Sequence, residues 1–268
     1  MLIFDIFAGY SGLTLVSLAL LALIAGFIDS VAGGGGLIQL PALLINLPHS
    51  PLPALFGTNK IAALAGTSVA AYQYGKKVNY DLLIVAIISA FAFLASNLGA
   101  RSLSLINPVT LRPLILIILI IIAIYTFLKK DLGSMKTKKL TRMKLILYGS
   151  LIGFIVGFYD GFFGPGTGNF LVLGFVVILG FEFVTASAYS KVINSVTNIS
   201  ALIVFVSQGN YYLGLAIIMA ACNIIGSIAG SRMALRRGNA FVRIVFLFIV
   251  IIMIMRYSYD IFNGFKKL

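Results

Sequence analysis

Two acidic residues stand just ahead of glycine-rich interruptions in otherwise apolar sequence. Asp29 precedes Gly33-Gly34-Gly35-Gly36, and Asp160 precedes Gly164-Pro165-Gly166-Thr167-Gly168. Consecutive glycines make a poor helix interior, each costing about 1 kcal/mol against Ala. Pro165 also removes a backbone donor. Each interruption therefore predicts a helix that stops and restarts. The first N–H groups of a restarted helix lack intrahelical partners and, with the helix dipole, suit an anion. In a bilayer such backbone is tolerated only where it is buried in protein or lines a watery cavity. Two breaks in matching places point to a midplane binding site, which assigns Gly33, Gly34, Gly35, Gly164, Gly166 and Thr167 to substrate binding. The competing reading is close helix packing through small residues.

A polar stripe follows each break. Ser187, Lys191, Asn194 and Asn198 are spaced 4, 3 and 4 residues apart, which places them on one helical face. The matching positions in the first half are Phe56, Lys60, Ala63 and Thr67, with Thr58 and Asn59 beside Lys60. A Lys inside an apolar helix is costly and faces a cavity or a partner, unless it snorkels to the interface. Lys60, Lys191, Asn59, Thr58, Ser190 and Asn194 thus join the breaks as an expected anion cage. Asp29 and Asp160 are poor anion ligands. Three roles stay open for them: carrying protons, capping the broken helices, or pairing with Lys60 and Lys191. No Gly-Lys-Ser/Thr follows either break, which argues against a nucleotide site. One cysteine, Cys222, and one histidine, His49 in a proline-rich loop, offer no metal site or nucleophile–base pair. No cofactor and no enzymatic activity are expected.

The elements that would carry these residues are membrane helices. The chain has 268 residues, 60% hydrophobic and 10% charged, where a soluble domain has about 25% charged. Apolar runs at Leu13–Ser30, Leu82–Ala100, Val109–Leu128, Leu145–Phe163 and Tyr211–Ala229 are long enough to span a bilayer. The shorter runs Leu37–Leu47 and Phe170–Phe181 read as re-entrant pieces or second halves of broken helices. The net charge of +13 belongs to loops and helix ends, where it marks the cytoplasmic side and meets anionic headgroups rather than nucleic acid. Residues 1–59 contain no Lys or Arg, so the first apolar run reads as a retained helix rather than a signal peptide.

One offset organises the chain. Asp29 and Asp160 are 131 residues apart, as are Lys60 and Lys191, Gly99 and Gly230, Arg101 and Arg232, and Arg112 and Arg243. The expectation is a tandem duplication. Residues 1–130 form one membrane repeat, 131–144 a basic cytoplasmic loop, and 145–268 a second repeat. Basic residues alternate between matching loops: Lys76 and Lys77 face the uncharged Gln208–Tyr211, while Arg232, Arg236, Arg237 and Arg243 face only Arg101 and Arg112. That pattern predicts halves crossing in opposite senses. Lys266 and Lys267 fit it less well. The expected fold is an all-α polytopic bundle of about eight to ten membrane segments, built from two inverted repeats with broken helices.

The run from Gly26 to Gly36, with Pro41-Ala42-Leu43 and Thr58-Asn59-Lys60, resembles the TauE/SafE family of membrane transporters. The run Gly157–Pro165 is similar to its YfcA-like branch. The resemblance covers essentially the whole chain. It implies a multi-pass permease of the bacterial inner membrane that exports sulfite or other organosulfur anions such as sulfonates. A proton-coupled carrier is the leading expectation, an anion channel the alternative. Expected partners are a small anion and the lipid bilayer, with a homo-oligomer allowed and nucleic acid excluded. Pro165 and Thr167 stand where the first break has glycines, and Asn194 and Asn198 face Ala63 and Thr67, so the two half-sites are expected to differ.

Overall fold

The computed structural model describes residues 10–103 and 140–265. The apolar run Val109–Leu128, Arg112, most of the basic join, Lys266 and Lys267 lie outside them. Among the described residues there are eight helices: α1 (Gly12–Ala32), α2 (Gly36–Asn46), α3 (Leu52–Gly75), α4 (Leu82–Ser102), α5 (Arg142–Phe162), α6 (Thr167–Val177), α7 (Phe183–Ser207) and α8 (Leu213–Phe265). Five of them, α1, α4, α5, α7 and α8 as far as Phe248, are long and apolar enough to cross a membrane. The short helices α2 and α6 have 11 residues each, a length of about 16 Å, or half the hydrocarbon core. The two short helices and the more polar α3 match the plan expected from the sequence, and the described residues hold eight of the eight to ten expected segments, the run Val109–Leu128 lying outside them.

Helix starts recur at one spacing. α2 and α6 begin at 36 and 167, α3 and α7 at 52 and 183, and α4 and α8 at 82 and 213, each 131 residues apart. Local chemistry explains several boundaries. Ser11 caps α1 by accepting from Thr14 N, and Asp81 caps α4 by accepting from Leu83 and Ile84 N. Arg142, at the start of α5, donates to Asp81 at 3.0 Å and holds that carboxyl below the usual carboxylate range. The start of α7 is capped from a distance, since Val184 N donates to Asn239 Oδ1 at 3.0 Å. Asn239 reaches it because α8 bends at Gly238.

Large apolar side chains such as Leu13, Leu82, Leu147, Ile217 and Ile244 are exposed on the outer faces, as expected of helices surrounded by lipid. Inside, association depends on close packing and polar bonds, because lipid tails are as apolar as leucine. α1 packs along α8, and α4 along α5. Cβ atoms placed on Gly26 and Gly226 would fall 2.2 Å from Asn223 O and 2.0 Å from Leu23 O. At the second crossing, one on Gly161 would fall 1.9 Å from Ser96 O. Ser96 Oγ donates to Thr197 O, Ser200 Oγ to Phe93 O, and Ser227 Oγ to Gly26 O. Every one of these contacts joins an element before the join to one after it.

Replacing Gly161 by Ala should force α4 and α5 apart at a point where both contacting atoms are backbone. A loss of about 1–3 kcal/mol is expected, read as a lower melting midpoint of the detergent-purified protein. Gly12→Ala, where the added carbon meets nothing within 4 Å, should show no loss.

α3 and α7 also lie together and run antiparallel. Phe56, near the start of α3, stacks on Phe205, near the end of α7, with centroids 6.5 Å apart. At the other end, Tyr74 of α3 donates to Ser30 O and Ser187 of α7 to Val31 O. These bonds, on the last carbonyls of α1, satisfy acceptors that a helix terminus leaves free.

Candidate functional site

The two breaks meet at the centre of the bundle. Gly33 lies against Gly168, where a Cβ on Gly33 would fall 2.3 Å from the Gly168 carbonyl carbon, and Gly36 lies against Pro165. Gly33 has φ 95° and ψ 173°, a region open essentially to glycine alone. The reversal is closed by Gly33 N donating to Asp29 O at 2.8 Å. With its amide nitrogen turned toward the opposite break, Asn169 donates to Ala32 O at 2.8 Å and Gly33 O at 3.2 Å.

Both lysines are buried, with 2% of Lys60 and none of Lys191 exposed, which excludes snorkelling. Each pairs with the carboxylate beside the other glycine break. Lys60 Nζ is 2.7 Å from Asp160 Oδ2, and Lys191 Nζ is 3.1 Å from Asp29 Oδ2. The carboxylates also hold the breaks. Asp29 Oδ1 accepts from Gly35 N at 3.3 Å, and Asp160 Oδ1 from Thr167 Oγ1 at 2.8 Å. Of the roles left open for the two acids, pairing with lysine is the one this geometry displays. Paired, hydrogen-bonded charges are the form in which ionised groups persist inside a bundle.

The two pairs are not equivalent. Lys191 donates a directed hydrogen bond to Asp29, whereas the shorter Lys60–Asp160 contact lacks hydrogen-bond geometry. A cavity of about 30 Å³ adjoins the second pair. It is lined by Lys60, Asp160, Asp29, Asn59, Asn194, Gly34, Gly35, Gly164, Gly166 and Thr167, together with Gly36, Gln39, Ala63, Gly168, Asn198 and Asn223. One water needs about 10–15 Å³ on this measure, so the space suits a few waters or one small ion.

Of the residues singled out from sequence, Lys191, Gly33, Thr58 and Ser190 stand behind this lining. Thr58 Oγ1 donates to Ala54 O and accepts from Tyr212 N, tying α3 to the start of α8. Ser190 Oγ donates to Gly168 O at 3.2 Å and so steadies the second break. Sequence reasoning missed Gln39 and Asn223. Each is an isolated amide in an apolar helix, and the cost of such a group in a membrane was the available signal. Gln39 Nε2 and Oε1, Asn59 Oδ1 and Asn198 Nδ2 are buried without a protein partner. All three side chains line the cavity, so their free polar atoms mark it as a place for a polar occupant. Among the described residues no group of three His, Cys, Asp or Glu gathers as a metal site.

The model of the family described as sulfite exporter TauE/SafE matches residues 18–257. The chain belongs to this family. Its TauE/SafE relatives include the probable membrane transporter protein YfcA of Escherichia coli strain K12, 34% identical over 250 residues, which are 93% of this chain and 91% of the relative. A probable membrane transporter protein of Haemophilus influenzae is 32% identical over 88% of this chain and 91% of its own. The Sinorhizobium protein ORF9, also described as a probable membrane transporter, is 35% identical over 89% and 90%. No solved structure matches. This TauE/SafE member, of the YfcA-like branch, is thus a multi-pass membrane protein of a transporter family, not an enzyme.

Proposed function

We propose that the protein is a secondary carrier of small anions in the bacterial inner membrane, with sulfite and short sulfonates as its substrates and protons as the coupling ion. The observation that carries this reading is the central cavity, where a buried lysine, two glycine-lined helix starts and unpaired amides converge. Such a site suits a small anion held by charge and by directed donors. The family description names sulfite, and the chemistry of the cavity is compatible with it.

The reading includes two repeats, 1–130 and 145–268, joined by a cytoplasmic loop at 131–144 and crossing the membrane in opposite senses. Helix starts that recur at one spacing support the duplication, and the antiparallel run of the corresponding helices α3 and α7 supports inversion. Inverted repeats meeting at broken helices suit alternating access about a fixed central site.

The test is counterflow in proteoliposomes loaded with unlabelled sulfite or a short alkanesulfonate, with the same labelled anion outside. A carrier gives transient, saturable uptake of label, whereas a channel gives flux that does not saturate. Lys60→Gln is expected to weaken apparent affinity about 10- to 100-fold, as for loss of a hydrogen bond to a charged group. Unchanged affinity would remove Lys60 from the site.

A further inference from the structure

We infer that this carrier moves one proton together with each monovalent anion, that Asp160 carries the proton, and that the Lys191–Asp29 pair is a fixed strut. The inference rests on the carrier reading above.

Three charged groups line the cavity: Lys60 from α3, Asp160 from α5 and Asp29 from α1. Lys191 from α7 stands behind Asp29 as its partner. Among the described residues, α2, α4, α6 and α8 present no charged side chain to it. With both pairs closed the site is electrically neutral. An anion binding Lys60 displaces Asp160 from the ammonium and leaves two negative charges beside one positive. Buried charge without a partner is costly, so the anion draws a proton onto the displaced carboxyl. The loaded site is then neutral again, with the ammonium facing the anion and a carboxylic acid beside them. Anion and proton favour each other's binding, and that coupling is reciprocal. The two forms that cross the membrane at low electrostatic cost are therefore the empty, paired site and the site holding both ligands. A half-loaded site is disfavoured in either sense.

Geometry selects Asp160. Its Oδ1 keeps the Thr167 hydroxyl at 2.8 Å, which leaves Oδ2 to exchange Lys60 for a proton without losing its position. Lys60 meets Asp160 without hydrogen-bond directionality, and it faces the cavity where Asn59, Gln39 and Asn198 hold unpaired polar atoms. Lys191 lies outside the lining, fully buried, in a directed bond to Asp29. Asp29 in turn holds Gly35 N of the first break. Protonating Asp29 would strand the buried Lys191 ammonium outside the cavity, whereas releasing Lys60 leaves its ammonium facing the cavity.

The sense of coupling follows. Protons entering down their gradient bring the anion inward, and net export requires the anion's own gradient.

The experiment uses the full chain in proteoliposomes, with labelled methanesulfonate as probe because its single charge does not titrate. Acid outside should drive accumulation approaching about tenfold per pH unit, the limit for one proton with one monoanion. An imposed potassium-diffusion potential should leave the rate unchanged, since no net charge moves. Asp160→Asn should bring the ratio of acid-driven to counterflow uptake to one, and Asp160→Glu should restore a ratio above one. The ratio reads coupling separately from rate. Counterflow that ignores the pH gradient, accumulation driven by alkali outside, or a response to potential would overturn the inference and leave the carrier reading standing. Loss of the ratio in Asp29→Asn with its retention in Asp160→Asn would overturn the assignment of Asp160. Absence of counterflow in the wild type would overturn the carrier reading for this class of anion, and the inference with it.

Discussion

Lys191→Met is expected to cost about 3–5 kcal/mol, because it leaves Asp29 charged and buried without its partner. Lys191 has no exposed surface, and 12% of the Asp29 side chain is exposed. Water can therefore do little to replace the lost ammonium. Few membrane bundles have so much stability in reserve, and the variant should be recovered from detergent in low yield and aggregated. The informative comparison is Lys191→Met combined with Asp29→Asn. The amide keeps an acceptor for Gly35 N, which lies 3.3 Å from Asp29 Oδ1, and it removes the orphaned charge. Replacing both members of a buried pair by neutral groups is often close to neutral in stability. The double variant should therefore regain most of the monodisperse yield and melting midpoint lost in the single one. Equal damage in both would mean that the lysine acts through packing rather than charge.

Gly33→Ala should be almost as severe, for two separable reasons. The backbone there, at φ 95° and ψ 173°, costs a non-glycine residue about 1–3 kcal/mol. The added carbon would also fall 2.3 Å from the Gly168 carbonyl carbon and 2.5 Å from Asn169 N. Both are backbone atoms of the opposite break, so no side chain can swing aside, and overpacking adds about 1–3 kcal/mol. Gly209→Ala separates the two terms. Gly209 also has positive φ, 70°, but an added carbon meets nothing within 4 Å. Its melting midpoint should fall by the conformational term alone. If Gly33→Ala behaved like Gly209→Ala, the close approach of the breaks would not hold.

The acids, the lysines and the breaks were legible because each breaks a local rule: charge or clustered glycine inside apolar sequence has few explanations. The 131-residue offset stood out for the same reason, since Asp29 and Asp160, and Lys60 and Lys191, keep it. Cross-pairing was not. Asp29 and Lys191 are 162 residues apart, and periodicity describes faces of helices without saying which face meets which. Helical spacing put Lys191 and Asn194 on one side of α7, yet only Asn194 reaches the cavity, because Gly168 and Asp29 intervene. Thr58 and Ser190 looked like ligands by adjacency to Lys60 and Lys191. Adjacent residues on a helix point about 100° apart, and both hydroxyls serve neighbouring backbone instead. Gln39 and Asn223 are single amides outside the polar stripe, with Phe170 and Ala92 at the 131-residue offset, so no pattern marks them.

Because Lys60 pairs with Asp160 and Lys191 with Asp29, the buried core cannot be completed piecemeal during synthesis. At about 5–20 residues per second, Asp29 waits on the order of 10–30 seconds before Lys191 has been made. For that interval α1 must be held with an unmatched carboxylate, and for a shorter part of it, until Asp160 is made, α3 with an unmatched ammonium, among lipid tails or insertion machinery. Gly26 and the other small residues of α1 are meanwhile uncovered, because α8, which packs on them, follows α1 by some 180 residues and emerges after Lys191. A ribosome that stalls in the join leaves a fragment whose defects are polar and central, the kind a membrane protease can recognise. The same dependence would let two separately made halves find each other, since each carries the counter-charge the other lacks.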